Sequence, residues 1–292
     1  MRTLVWKLAD ASLQHKTHGL TPERLALKNI VLVGAGSFHS FAVDRDGLVF
    51  GWGLNTFHQL GLAEEDGAFE ETIATPTEIT ALHPSKHGGA RVVQIKGGEH
   101  HTIFLLSNGS VYACGRCDGF EVGLASTHPA MEALAARKHD IKQQRVTFAE
   151  EERQRLEKEE PAASADEQRQ KAEVTAAMTL PMPADCVPDP TLVTFPENVQ
   201  IIDVASNARQ CFACSSTGKL FAWGSGNVTQ LSLGDDEEKF MTPRLLNGKD
   251  LLGFRVIKAS TGGQHASVIA VRIAEAPAAS NNGPASAPDV AG

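Results

Sequence analysis

Two Cys-x-x-Cys pairs, Cys114 with Cys117 and Cys211 with Cys214, could supply four thiolates for a tetrahedral zinc site. Three histidines, His39, His101 and His265, each follow a glycine by three positions, and imidazole is the usual acid or base near neutral pH. Gly34-Ala35-Gly36-Ser37 and Gly224-Ser225-Gly226 have the composition of a phosphate-cradling loop. None of these readings goes far. On a strand, a spacing of three sends Cys211 and Cys214 to opposite faces. Neither glycine stretch opens a helix, and Gly-x-x-x-x-Gly-Lys-Ser/Thr, His-Glu-x-x-His and Gly-x-Ser-x-Gly do not occur. The thiols read better as small apolar core groups, so neither a metal nor another cofactor is expected, nor covalent catalysis.

What places these residues is a repeated unit. The stretch Val31 to Leu62 recurs at a shift of 62, so that Gly36, His39, Gly47, Gly53 and Gly61 become Gly98, His101, Gly109, Gly115 and Gly123. A third copy at a shift of 171 sets Gly218, Trp223, Gly224, Gln230 and Leu231 on Gly47, Trp52, Gly53, Gln59 and Leu60. In that copy Asn207 and Gln210 replace the glycine and the histidine. Only the opening of a fourth copy is present, Val256 to Val271, with Gly262 and His265. Recurrence of the histidines favours a structural role, and for His39 the expectation is a hydrogen bond to the neighbouring unit. Cys114 takes the place of Trp52 and Trp223, which makes it a core position.

Each unit reads as short strands rich in Val, Ile, Phe and Ala, joined at Asp46-Gly47, Asn108-Gly109 and Thr217-Gly218. Prolines lead the connecting segments at Thr21-Pro22, Thr75-Pro76, Pro190 and Thr242-Pro243, which suits edge strands, where no ladder donor is needed. About four strands per ~50 residues predict an all-β fold, a β-propeller, in which radial repetition leaves short, protected edges.

Composition bounds the rest. The chain has 292 residues, 42% apolar and 21% charged, with 35 acidic against 27 basic side chains and a net charge of -8. That can bury a real core, and the lack of a dense cationic block argues against the phosphate backbone as main partner. No apolar run approaches the ~20 residues of a membrane helix, so no membrane association is expected. Five cysteines, an odd count, argue for a reducing compartment, cytoplasm or nucleus, over a disulfide framework.

The Gly-x-x-His strand, the Asp-Gly or Asn-Gly turn, the Trp-Gly strand end and the Gln-Leu-Gly exit together resemble the regulator of chromosome condensation repeat family. Gly97-Gly98-Glu99-His100-His101-Thr102, Leu220-Phe221-Ala222-Trp223-Gly224 and Ser260-Thr261-Gly262-Gly263-Gln264-His265, in that order, are similar to the second half of its Ran exchange factors. The resemblance covers about 21–124 and 190–271. It implies a seven-bladed propeller, for which the roughly 230 residues outside an insertion supply about four blades. The expectation is therefore an incomplete propeller, most simply part of a longer gene product. Four blades closing on themselves, or two chains completing each other, are the other possibilities.

The sequence divides into 1–20, a partial preceding blade or tail; 21–124, repeats one and two; 125–187, a charged insertion, helical or disordered; 188–273, repeat three and the start of the last; and 274–292, a disordered tail. The resemblance implies a nuclear guanine nucleotide exchange factor, with a presence in the cytoplasm not excluded, acting on a Ran-type small GTPase by protein contact. It takes no small-molecule substrate, and by family analogy core histones or chromatin are further partners. His101 and His265 match positions that these factors use on the GTPase face, and Glu99, His100 and Gln264 flank them. The acidic residues and wedge-like hairpin that the family uses against the nucleotide site belong to its first blades, which the matched residues do not cover. The alternative is a scaffold or adaptor built from the same repeats that serves no Ran-type GTPase.

Overall fold

The structure, a computed structural model, describes residues 25–159, 163–226, 231 and 239–273. The expectations for 1–20, 274–292, Thr21-Pro22 and Gln230 lie outside the described residues.

The repeat folds into antiparallel four-stranded meanders. Blade one comprises β1 (Ile30–Ala35), β2 (His39–Asp44), β3 (Val49–Leu54) and β4 (Thr72–Glu78), hydrogen-bonded in that order. Blade two repeats it with β5 (Val92–Gly97), β6 (His101–Leu106), β7 (Val111–Arg116) and β8 (Cys186–Leu192), and blade three with β9 (Ile201–Asn207), β10 (Gln210–Ser215), β11 (Leu220–Ser225) and β12 (Lys239–Leu246). Of a fourth blade the described residues contain two strands, β13 (Phe254–Thr261) and β14 (Ala266–Arg272). Strand β5 packs between β1 and β9, and β13 packs on β9 and β10, so the first strands of the blades stand side by side along an inner wall. The blades form an open arc, an incomplete propeller.

The turn chemistry explains the meander. Gly47, Gly109 and Gly218 hold φ of 89°, 87° and 86° at the same point of the second hairpin, a conformation costly for any residue with a Cβ. Pro76, Pro190 and Pro243 all fall on the outermost strands β4, β8 and β12, where a missing N–H costs no ladder bond and discourages further pairing.

Apolar side chains alternate into two layers between the blades. Phe41, Trp52, Leu60, Ile79, Phe104 and Cys114 fill the junction of blades one and two. Ile103, Cys211, Phe212, Phe221 and Trp223 fill that of blades two and three and reach Val256 and Ala259 of the fourth. The segment between β7 and β8 forms two helices, α1 (Pro129–Glu159) and α2 (Ala165–Thr179). A capping box of Ser164 and Glu167 starts α2, and Arg145 of α1 donates to the carbonyl of Leu180 just past its end (2.5 Å). Lys138 of α1 pairs with Asp185 at the entry to β8. No described helix is long and apolar enough to cross a membrane.

Candidate partner-binding face

The turns joining the first two strands of each blade all emerge on one face of the arc. They bear the Gly-x-x-His motif. A Cβ on Gly36, Gly98 or Gly262 would run into the ring of His39, His101 or His265 respectively, so the glycine is the seat on which the imidazole three residues later lies. On Gly98 it would also come within 2.8 Å of the Ala208 carbonyl in blade three.

Seated this way, the first two rings reach across to the next blade. His39 Nε2 lies 2.8 Å from Thr102 Oγ1, and the Thr102 hydroxyl donates to the Gln59 carbonyl (2.7 Å), so His39 carries its proton on Nε2. His101 Nε2 lies 2.7 Å from Ser206 Oγ and 3.3 Å from Cys211 Sγ. Gln210, where blade three has no histidine, still reaches the fourth blade and donates to the Gly262 carbonyl (2.7 Å). Backbone bonds run in parallel, Ser37 N–H to Gly98 O and Glu99 N–H to Ala208 O, both 3.0 Å. Burial, which disfavours the charged form, holds the His39 imidazole down at about 4 and His101 at about 3. Both are neutral hydrogen-bonding groups at physiological pH.

The sequence-derived residues therefore part company. His101 is 1% exposed and its ring is engaged between blades two and three, a position that supports holding the blades together over touching a partner. Glu99 and His100 are half-buried at the tip of the blade-two turn, and Gln264 and His265 are exposed on the fourth. Trp223 is fully buried, donating from Nε1 to the Glu121 carbonyl (2.9 Å), as Cys114 Sγ does to the Gln59 carbonyl at the equivalent place (3.5 Å). Trp52 is buried in the first layer. Cys211 also donates to the Glu121 carbonyl (3.4 Å), and burial pushes the Cys114 and Cys211 thiols well above their ordinary range. Gly53, Gly115 and Gly224 stand at the matching bulge between the third and fourth strands of their blades.

The same face carries residues that the repeat does not mark, because they stand where the copies differ. Residue 38 of blade one, 100 of blade two, 209 of blade three and 264 of the fourth are equivalent, and they are Phe, His, Arg and Gln. Phe38 stacks on His100 with centroids 5.7 Å apart, and Phe57 lies 5.0 Å from the same imidazole. Arg116 lies over Phe57 at 5.1 Å and grips Asp118 with two bonds of 2.6 and 2.9 Å. At the next junction Glu121 replaces Gln59, and Arg209 binds it from Nε (2.5 Å) while also holding Asp118 (2.5 Å). Burial raises the Glu121 carboxyl, with its own backbone N–H and Arg209 pulling the other way; Arg116 above all holds Asp118 low. The face is thus a firm lattice of rings and ion pairs over an inter-blade floor, in which the Ser206 hydroxyl and Cys211 thiol beside His101 belong to the packed junction of blades two and three.

Four-stranded antiparallel blades set side by side through their first strands define the class, a repeat protein of the β-propeller type. Residues 46–105 and 217–269 match the family model described as Regulator of chromosome condensation (RCC1) repeat, and a second model of that description matches 30–59 and 92–119. The chain belongs to this repeat family. It is 32% identical over 257 residues, 88% of this chain and 38% of the relative, to Protein pim1 of Schizosaccharomyces pombe. It is 24% identical over 250 residues, 84% of this chain and 40% of the relative, to the Guanine nucleotide exchange factor SRM1 of Saccharomyces cerevisiae. Prp20p of Saccharomyces cerevisiae, whose crystal structure was described together with its binding properties to Gsp1p and histones, shares the fold with a TM-score of 0.61 and 24% identity, covering 87% of this chain and 46% of that one. The chain spans about two fifths of the length of these two curated relatives.

Proposed function

We propose that this chain is the propeller-forming part of a guanine nucleotide exchange factor for a Ran-type small GTPase, working in the nucleus through the Gly-x-x-His face. The observation that carries the reading is sequence similarity to a relative named as a guanine nucleotide exchange factor, extending over 84% of the chain. The geometry fits it: a rigid face with exposed polar and aromatic tips suits recognition of a protein. Exchange of this kind follows from linkage. A partner that binds the nucleotide-free GTPase more tightly than the loaded form must lower nucleotide affinity by the same factor. Glu99, His100, Gln264 and His265 are the contacts assigned to the GTPase, with His101 beneath them holding blade two to blade three. Core histones are proposed as second partners by analogy with Prp20p.

The test is release of a fluorescent guanine nucleotide from a Ran-type GTPase in the presence of the purified chain. Accelerated release supports the exchanger. A folded chain that binds the nucleotide-free GTPase but leaves release unchanged supports the GTPase-contacting part of an exchanger whose nucleotide-displacing residues lie outside the matched blades, and one that does not bind it refutes the reading in favour of a scaffold for another partner.

A further inference from the structure

The floor of the face keeps a side-chain bridge to the next blade in blades one, two and three, whereas its tips do not repeat, and one such departure lies at the junction of blades one and two. Phe57 there stands where blade two has Gly119, and Phe38 stands where blade three has Arg209. Neither ring is needed by the repeat, since blades two and three fold without them. Together with His100 they make a continuous strip, Phe38 stacked on His100 at an interplanar angle of 23° and Phe57 tilted against the same ring at 39°. The strip is open to solvent at its Phe38 end, where that side chain is 50% exposed. It is also held in place: Arg116 caps Phe57 and is itself fixed by Asp118, which Arg209 braces from blade three.

We propose that the Phe38–His100–Phe57 strip, capped by Arg116, is the anchoring hot spot of this face for a protein partner, the nucleotide-free small GTPase. This rests on the exchange reading above and names the part of the face that would carry its affinity. Aromatic rings flanked by arginine dominate interface energetics, and rings already locked by stacking lose little freedom on docking. The strip is continuous with Glu99, on the same turn as His100. A nucleobase would also stack on Phe38, but the neighbouring cations Arg116 and Arg209 are both taken up by carboxylates, and Glu99, Asp118 and Glu121 would repel a phosphate backbone. A protein surface offering an apolar side chain is the better match.

The experiment measures affinity of the full chain for a nucleotide-stripped Ran-type GTPase by titration calorimetry, for the unaltered chain, Phe38→Ala and Phe38→Leu. Phe38→Ala is expected to weaken binding by about 30-fold, the loss typical of a hot-spot residue, while leaving the unfolding midpoint in place. Phe38→Leu, which keeps apolar area but not the stack, falls between. Unchanged affinity in Phe38→Ala, with the unaltered chain binding, overturns the strip and leaves the exchange reading standing. No binding by the unaltered chain overturns both. Capture of a single-stranded oligonucleotide that is lost in Phe38→Ala, without GTPase binding, assigns the strip to nucleic acid and also overturns the proposal.

Discussion

Replacing His101 by Ala separates an inter-blade role from a contact role. The ring is 1% exposed, lies on Gly98, and reaches Ser206 Oγ at 2.7 Å and Cys211 Sγ at 3.3 Å. Truncation removes one buried hydrogen bond, worth about 1 kcal/mol, and leaves a cavity whose lost packing costs roughly 2 kcal/mol more. A loss of about 3 kcal/mol is therefore expected, equivalent to a fall of about 6–12 °C in midpoint for a chain of this size. His265→Ala, at an exposed position, stays within about 0.5 kcal/mol. His101→Gln should recover most of the loss, because Gln210 spans the next junction from the same place and donates to Gly262 O. The assay is urea unfolding followed by circular dichroism on all three variants. If His101→Ala cost less than about 1 kcal/mol, or no more than His265→Ala, the inter-blade account of the ring would be wrong.

Acid should unfold the protein early. His39 and His101 titrate at about 4 and about 3 in the fold against 6.5 unfolded, so the unfolded state takes up protons first; stability is complete above pH 6.5 and falls toward pH 4, by about 2 kcal/mol per imidazole between pH 7 and 5. Unfolding curves across that range should flatten in a His39→Gln, His101→Gln double variant, and an equal slope in both chains counts against the assignment. Arg209→Met strands the Glu121 carboxylate and should cost about 3 kcal/mol. Adding Glu121→Gln should restore most of it, since Gln59 occupies that place in blade one and accepts from Phe57 N–H; losses that simply add in a double-mutant cycle contradict the pairing. Cys114 and Cys211 should resist Ellman's reagent at pH 8 while half-buried Cys186 reacts first, which peptide mapping of the labelled chain would check.

Much of the fold was legible because sameness is what a repeat displays. The shift of 62 that carries Gly36 to Gly98 also carries the start of β1 at Ile30 to that of β5 at Val92, and the prolines marked the outermost strands. The site was less legible for the same reason. Comparing copies brings out Gly98 and His101, which serve the floor, and passes over Phe38, Phe57, Arg116 and Arg209, which differ between copies and occupy the surface. A sign of them was available in the substitutions themselves: Glu121 for Gln59 and Arg209 for His100 change together, a charge pair appearing across a junction where the preceding one has an amide beside an imidazole. What no sequence pattern gives is the depth of His101, since a histidine seated on glycine reads alike whether or not the next blade covers it as blade three covers His101.

The order of events during folding follows from where the helices enter. Blade one runs from β3, ending at Leu54, to β4, beginning at Thr72, but in blade two the same step, from Arg116 to Cys186, spans both helices. The added closure entropy is modest, about 1 kcal/mol, because it grows only with the logarithm of loop length. Its kinetic effect is larger: β5, β6 and β7 zip locally, while β8 must wait for α1 and α2 to fold back and deliver Asp185 to Lys138. Until then β7, which carries Tyr112 and Cys114, is a bare edge. Of the three four-stranded blades, blade two is the one whose third strand waits longest for its partner during synthesis, and there a nascent chain is most exposed to pairing with the wrong strand.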